Sequence, residues 1–131
     1  MKRKSAKNKG KSGENEICDI LNDRFLLDCE RRYNQACGGA DVYELGMAIE
    51  VKRHESLTIN KWWNQVLEAS SRTGRIPVLA YRQNRIPWTI CLSANNIGLP
   101  HTSRISLSLD DWLLWIELHF QYLSDLENSF R

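Results

Sequence analysis

Glu50 and Lys52 stand two residues apart in Met47-Ala48-Ile49-Glu50-Val51-Lys52-Arg53, a segment that alternates apolar and polar side chains. Such alternation marks a strand, in which residues i and i+2 share a face with their Cα atoms roughly 6.5–7 Å apart. Met47, Ile49 and Val51 then face a core, while Ala48, Glu50 and Lys52 share the other side of a well-anchored element. Just ahead, Asp41 opens Asp41-Val42-Tyr43-Glu44, and Leu45-Gly46 is a turn signal between the two segments. Antiparallel pairing across that turn puts Asp41 near the far end of the Glu50–Lys52 face. Two carboxylates can hold a hard cation such as Mg²⁺, with water and phosphate oxygens completing the shell. A cation there lowers the pKa of a bound water and stabilises charge on a phosphorane-like transition state, and an ammonium can orient or deprotonate the water or neutralise the phosphate. A bare Glu-x-Lys is a very short pattern, however, and a salt bridge on an exposed sheet face is its commoner origin.

These residues need elements to hold them. Ile17, Ile20, Leu21 and Phe25 recur at helical spacing, which predicts a first helix over 13–26, with Ser12 as N-cap and Glu14 in the first turn. A weak strand is expected at 29–35 and a loop at Cys37-Gly38-Gly39-Ala40. A second helix is expected over 60–73, capped by Asn60 and ended by Gly74. Ile76–Tyr81 and Trp88–Leu92 read as a hairpin, 93–103 as loop and Ile105–Leu107 as a short strand. Ser108 then caps an amphipathic helix over 109–127. The order is one mixed α/β sheet domain over 10–131, preceded by an arm over 1–9 read as mobile.

With 131 residues the chain can bury a core without staples, and 42% hydrophobic with 26% charged residues excludes a fully disordered or fibrous protein. No run of 18 apolar residues exists, so no membrane span is expected, and no apolar stretch follows the basic N-terminus as in a secretion signal. The net charge of +2 conceals an asymmetry: residues 1–13 carry Lys2, Arg3, Lys4, Lys7, Lys9 and Lys11 and no acid, so the remainder sums to −4. A basic arm on an acidic body suits a polyanion such as nucleic acid, or is a solvated tail. Cys18, Cys29, Cys37 and Cys91 form no Cys-x-x-Cys pair, and Cys18 and Cys91 are expected to serve as small core hydrophobes in a reducing cytosol.

The whole pattern is more specific than its parts. Lys9-Gly10-Lys11-Ser12-Gly13-Glu14-Asn15-Glu16, Arg31-Arg32, Gly38-Gly39-Ala40-Asp41-Val42 and Ile49-Glu50-Val51-Lys52, continuing through Leu57–Lys61 and Gly74–Ala80, resemble the archaeal-type Holliday junction resolvases of the PD-(D/E)XK nuclease superfamily over about residues 9–92. The resemblance implies a restriction-endonuclease-like mixed-sheet core, α-β-β-β-α-β, with an added C-terminal helix. It implies catalytic roles for Glu14, Asp41, Glu50 and Lys52, and a metal site of Asp41, Glu50 and the Val51 carbonyl, taking Mg²⁺ with Mn²⁺ as substitute. It makes Arg32 a DNA-facing residue, and Lys7, Lys9, Lys11, Arg31 and Arg53 are candidates beside it. Asn15 stands where these enzymes often have arginine, Cys37-Gly38-Gly39 where a serine is expected, and Ala69 and Thr73 where the family has dimer-building aromatics. Trp112 and Trp115 on the last helix offer another dimer surface or simply cover the sheet.

The expected function is a Mg²⁺-dependent, structure-selective DNA endonuclease that resolves four-way junctions as a homodimer, in the cytoplasm, nucleoid or, if phage-encoded, the host cytoplasm. The alternatives are a superfamily nuclease acting on duplex or flap DNA, and a non-catalytic DNA-binding module. Trp62 and Trp63 diverge by about 100° on a helix, so both cannot face the core and one is expected to be exposed, stacking on a partner or DNA, or partly buried beneath the sheet, the latter slightly favoured. Gln65 on the same helix is a weak candidate near the metal. His54 reads as a solvated strand-end residue within reach of phosphate, and Arg72, Arg75, Arg82 and Arg85 as DNA-facing or plain surface charges.

Overall fold

Leu45 and Gly46 adopt left-handed backbone angles, φ 55° and 76°, and join strand β1 (Val42–Glu44) to β2 (Met47–Arg53) in a two-residue turn. Two positive φ values in succession match the right-handed twist of an antiparallel pair, and glycine supplies the second without a Cβ clash. The pairing sets Val42 opposite Ile49 and Glu44 opposite Met47. The computed structural model describes residues 6–25 and 42–129. The expected strand at 29–35, the loop at 37–40, Asp41, Arg31 and Arg32 lie outside the described residues.

Helix α2 (Ile59–Thr73) crosses from β2 to β3 (Ile76–Arg82), and β2 and β3 pair in parallel, as a helical crossover allows. β4 (Thr89–Ser93) and β5 (Arg104–Ser108) add antiparallel neighbours, giving the sheet order β1-β2-β3-β4-β5. Helix α1 (Ala6–Phe25) precedes the sheet and α3 (Leu109–Ser129) follows it. This is the expected mixed α/β core with an added C-terminal helix. Ser108 caps α3 as predicted, its Oγ accepting a hydrogen bond from the Asp111 amide at 3.1 Å.

The alternation in β2 sorts the layers. Met47, Ile49 and Val51 pack with Ile17, Cys18 and Leu21 of α1 and with Trp112, Leu113 and Ile116 of α3. On the opposite face Leu79 and Cys91 pack under Trp62, Trp63 and Val66 of α2, and Ala48 meets Ala69. Both tryptophans are buried, against the expectation that one is exposed, because the pair straddles the apolar stripe of α2 and the two large rings reach the sheet from either side of it. Ala69 is a sheet contact rather than a dimer position, and Trp112, with no exposed surface, covers the sheet.

Three boundaries differ from expectation. Helix α1 starts at Ala6, so residues 6–9 are helical rather than part of an arm, Ser12 is inside the helix, and Glu14 lies in its third turn. The glycine there signals close packing, not a helix start: a Cβ on Gly13 would stand 3.3 Å from Arg53 Cβ and 3.4 Å from Val51 Cγ1. Thr58, not Asn60, takes the N-cap position of α2, and the Asn60 Oδ1 accepts from Arg104 at 2.9 Å. Ala94–Ile97, expected as loop, forms a 3₁₀ turn.

Candidate functional site

Lys52 Nζ lies 3.2 Å from Glu50 Oε1, with the Glu50 side chain 10% exposed and that of Lys52 21%. The pair stands on the α2 face of β2, near the strand's C-terminal end. The pair is thus a salt bridge on a largely covered sheet face rather than an exposed one. Burying two charges carries a desolvation cost that their attraction does not always offset, so a pair retained on an apolar sheet face is weak evidence for stability and better evidence for chemistry.

Tyr81 is the Cα partner of Lys52 on β3. Its ring lies 6.1 Å from Trp62, and the His54 ring lies 5.4 Å from Trp62 on the same side. His54 is half-buried rather than solvated, and its amide donates to the Arg82 carbonyl at 3.1 Å. Glu50, Lys52, His54 and Tyr81 form one row on the α2 face. Gln65 is exposed on α2.

The other face carries a second polar cluster that the sequence did not signal. Arg82 donates to Glu16 Oε2 at 2.9 Å, Trp88 Nε1 donates to Glu16 Oε1 at 3.0 Å, and the Arg82 guanidinium sits 5.3 Å from the Trp88 ring centroid. A buried indole N–H needs an acceptor, and that need is the only hint in the sequence that a carboxylate faces Trp88. Arg82 is therefore held within the fold and is not a free DNA-facing charge. Arg72 pairs with Glu68 on the surface of α2, and Arg85 is exposed at the tip of the β3–β4 connection.

The fold brings Glu50 and Lys52 together. Glu14, about nine-tenths buried, belongs to the α1 layer, next to Gly13, whose neighbours Val51 and Arg53 flank Lys52. Arg53 projects to the α1 side, away from the Glu50 row. Lys7, Lys9 and Lys11 lie on the N-terminal turns of α1. Asp41 is outside the described residues; its neighbour Val42 faces Ile49, the residue before Glu50. Among the described residues no three His, Cys, Asp or Glu side chains converge as a metal cluster. A cleft of about 450 Å³, lined by Leu67, Arg75, Ile76 and Asn95 among others, opens at the start of β3, the end of the sheet remote from Lys52. Among the described residues, no helix is long and apolar enough to cross a membrane.

A family model described as "Phage putative PDDEXK endonuclease" matches residues 5–110. The fold is similar to that of Hjc, a Holliday junction resolvase from the archaeal hyperthermophile Archaeoglobus fulgidus, with a TM-score of 0.56 and 16% identity, covering 79% of this chain and 99% of that one. No curated protein matches the chain.

Proposed function

The chain belongs to the phage PDDEXK endonuclease family, and we propose that it is a divalent-metal-dependent, structure-selective endonuclease that cuts branched DNA, with the four-way junction as its substrate. The observation that carries this reading is the buried Glu50–Lys52 pair at the end of β2. A family of endonucleases accounts for a charge pair whose burial costs stability.

In this reading Glu50 and Asp41 supply carboxylate oxygens and Val51 its carbonyl to Mg²⁺ or Mn²⁺. The donors fit, because hard cations take oxygen ligands and Glu50 presents a carboxylate already held in place by Lys52. The cation supplies an acidified water and charge neutralisation when bound. Lys52 orients that water and offsets charge on the phosphate. Glu14 stands on α1, across β2 from the Glu50 row, and a catalytic role for it rests on the resemblance. Hydrolysis leaves a 5′-phosphate and a 3′-hydroxyl. A junction needs symmetric cuts in two strands, which a two-fold homodimer provides with two equivalent sites. The place of action is the host cytoplasm.

The test offers purified protein a labelled mobile four-way junction, a linear duplex and a flap, each with Mg²⁺ and with EDTA. Junction cleavage with Mg²⁺ that EDTA abolishes is the expected result. Equal cutting of duplex or flap would move the assignment to another nuclease of this superfamily, and binding without cutting would leave a DNA-binding module.

A further inference from the structure

His54 continues the row begun by Glu50 and Lys52. Its amide bonds to the Arg82 carbonyl at 3.1 Å, which extends the β2–β3 ladder one residue beyond Arg53. Alternation along the strand therefore carries its side chain to the side of Glu50 and Lys52. The rings agree: His54 lies 5.4 Å from Trp62, and Trp62 lies 6.1 Å from Tyr81, which stands beside Lys52. Trp62 is 5% exposed, so the imidazole rests on a fixed wall while keeping part of its own surface open.

We propose that His54 is a catalytic residue that donates a proton to the leaving 3′-oxygen of the scissile phosphodiester; this rests on the nuclease reading above. Cα atoms two residues apart on a strand are roughly 6.5–7 Å apart, so side chains from Lys52 and His54 can flank one phosphate. In an in-line displacement the attacking and leaving oxygens lie on opposite sides of phosphorus. With Lys52 on the side of the water, His54 is left on the side of the leaving group. The water oxygen bonds to phosphorus and gives up one proton to bulk solvent, the bond from phosphorus to the 3′-oxygen breaks with its electron pair on that oxygen, and the imidazolium proton passes to it. The products are a 5′-phosphate and a 3′-hydroxyl, and neutral His54 regains its proton from solvent. Histidine suits the step because its ordinary pKa lies near neutrality.

The experiment compares wild type with His54→Phe, which keeps a ring against Trp62 and removes the donor. Both are given the DNA that wild type cuts, with the mapped scissile 3′-oxygen either natural or replaced by sulfur, under single turnover with Mn²⁺. A thiolate leaves without a proton. Expected is a loss of about 10²- to 10⁴-fold on the oxygen substrate, the usual range for a general acid, and recovery to within about tenfold of wild type on the sulfur substrate. An equal loss on both substrates, or no loss on oxygen, overturns the proposal. Wild type that cuts neither DNA removes the nuclease reading itself, and the proposal with it.

Discussion

Arg82 on β3 donates to Glu16 on α1 at 2.9 Å, and Trp88 completes the carboxylate's contacts from the start of β4 at 3.0 Å. The interaction pins the middle of α1 to β3 and to the residue just before β4, at the end of the sheet that carries Lys52. Hydrogen bonds to a charged group contribute about 1.5–3 kcal/mol each, toward the lower end where water still reaches the pair. Glu16→Ala leaves Arg82 and Trp88 without that acceptor, so thermal melting should fall by roughly 6–10 °C for about 2 kcal/mol in a domain of this size. Calorimetry checks it; a shift under about 2 °C would show that the contact carries little stability.

Glu14 and Glu16 are separated by about 200° around α1 and should respond in opposite ways. Glu14 lies in the third turn, too deep in the helix to draw on the N-terminal dipole, whose effect fades within one turn. Glu14→Gln keeps the volume and should change melting by only a few degrees while lowering turnover by orders of magnitude. Glu16→Gln should do the reverse, costing stability while the folded protein keeps most of its cleavage rate. Melting and single-turnover cleavage of both variants test the assignment. An inactive Glu16→Gln beside an active Glu14→Gln would place the wrong carboxylate at the site.

The strand bearing Glu50 and Lys52 was legible because successive side chains of a strand point to opposite faces and only the face of Met47, Ile49 and Val51 is apolar throughout, and Met47–Arg53 has the bounds its pattern implies. The turn at Leu45-Gly46 and the cap at Ser108 were legible for the same local reason. The start of α1 was not. Gly10, Ser12 and Gly13 are poor helix formers, and it is tertiary contact at Gly13 that holds the turn against Val51 and Arg53. The role of Glu16 was hidden because its partners, Arg82 and Trp88, are 66 and 72 residues away, and no local pattern reports such a contact. Asn60 was misread because its side chain serves Arg104, 44 residues on, rather than the helix end.

Cys91 offers a pH test of the core. Burial between the sheet and α2 pushes its thiol pKa up, with only partial offset from Ser106 and Arg104. An acid whose folded pKa is raised stays neutral in the native state while the unfolded thiol ionises near its ordinary value of about 8.5. Its contribution is therefore fully present below that pH and is lost as pH rises from there toward the folded value. Melting temperature should be level with respect to this group from pH 6 to 8 and fall above about pH 9, and Cys91→Ala should flatten the alkaline fall. Alkylation followed by mass spectrometry at pH 8 should find Cys91 slow to react.

The basic turns of α1 should report themselves in salt dependence. Glutamine is close to lysine in helix propensity, so replacing Lys7, Lys9 and Lys11 with Gln should leave the fold intact. If each neutralises one DNA phosphate, the slope of log K against log salt should become shallower by about 2.7. Fluorescence anisotropy with a labelled junction from 50 to 300 mM salt measures this. An unchanged slope would remove these lysines from the DNA contact.

Glu50 and Lys52 should separate stability from activity. Lys52→Met removes the ammonium beside the buried Glu50 carboxylate, and breaking a largely buried pair from one side should lower stability, by at most about 3–5 kcal/mol. The double variant Glu50→Met with Lys52→Met removes both charges from a face already lined by Leu79, Trp62 and Val66. It should melt no lower than wild type, because apolar replacement of a buried pair is often neutral or stabilising. The same protein should cut no DNA. Glu50→Gln and Asp41→Asn should likewise abolish cleavage but keep junction binding, because affinity comes mainly from lysine and arginine on phosphate. Losing one negative charge near the phosphate in each should tighten binding in EDTA. Melting, binding and cleavage on these four variants test the idea together. A double variant that melts well below wild type would mean the pair is structural. Near wild-type cutting by Glu50→Gln or Asp41→Asn would mean that the carboxylates do not hold the metal.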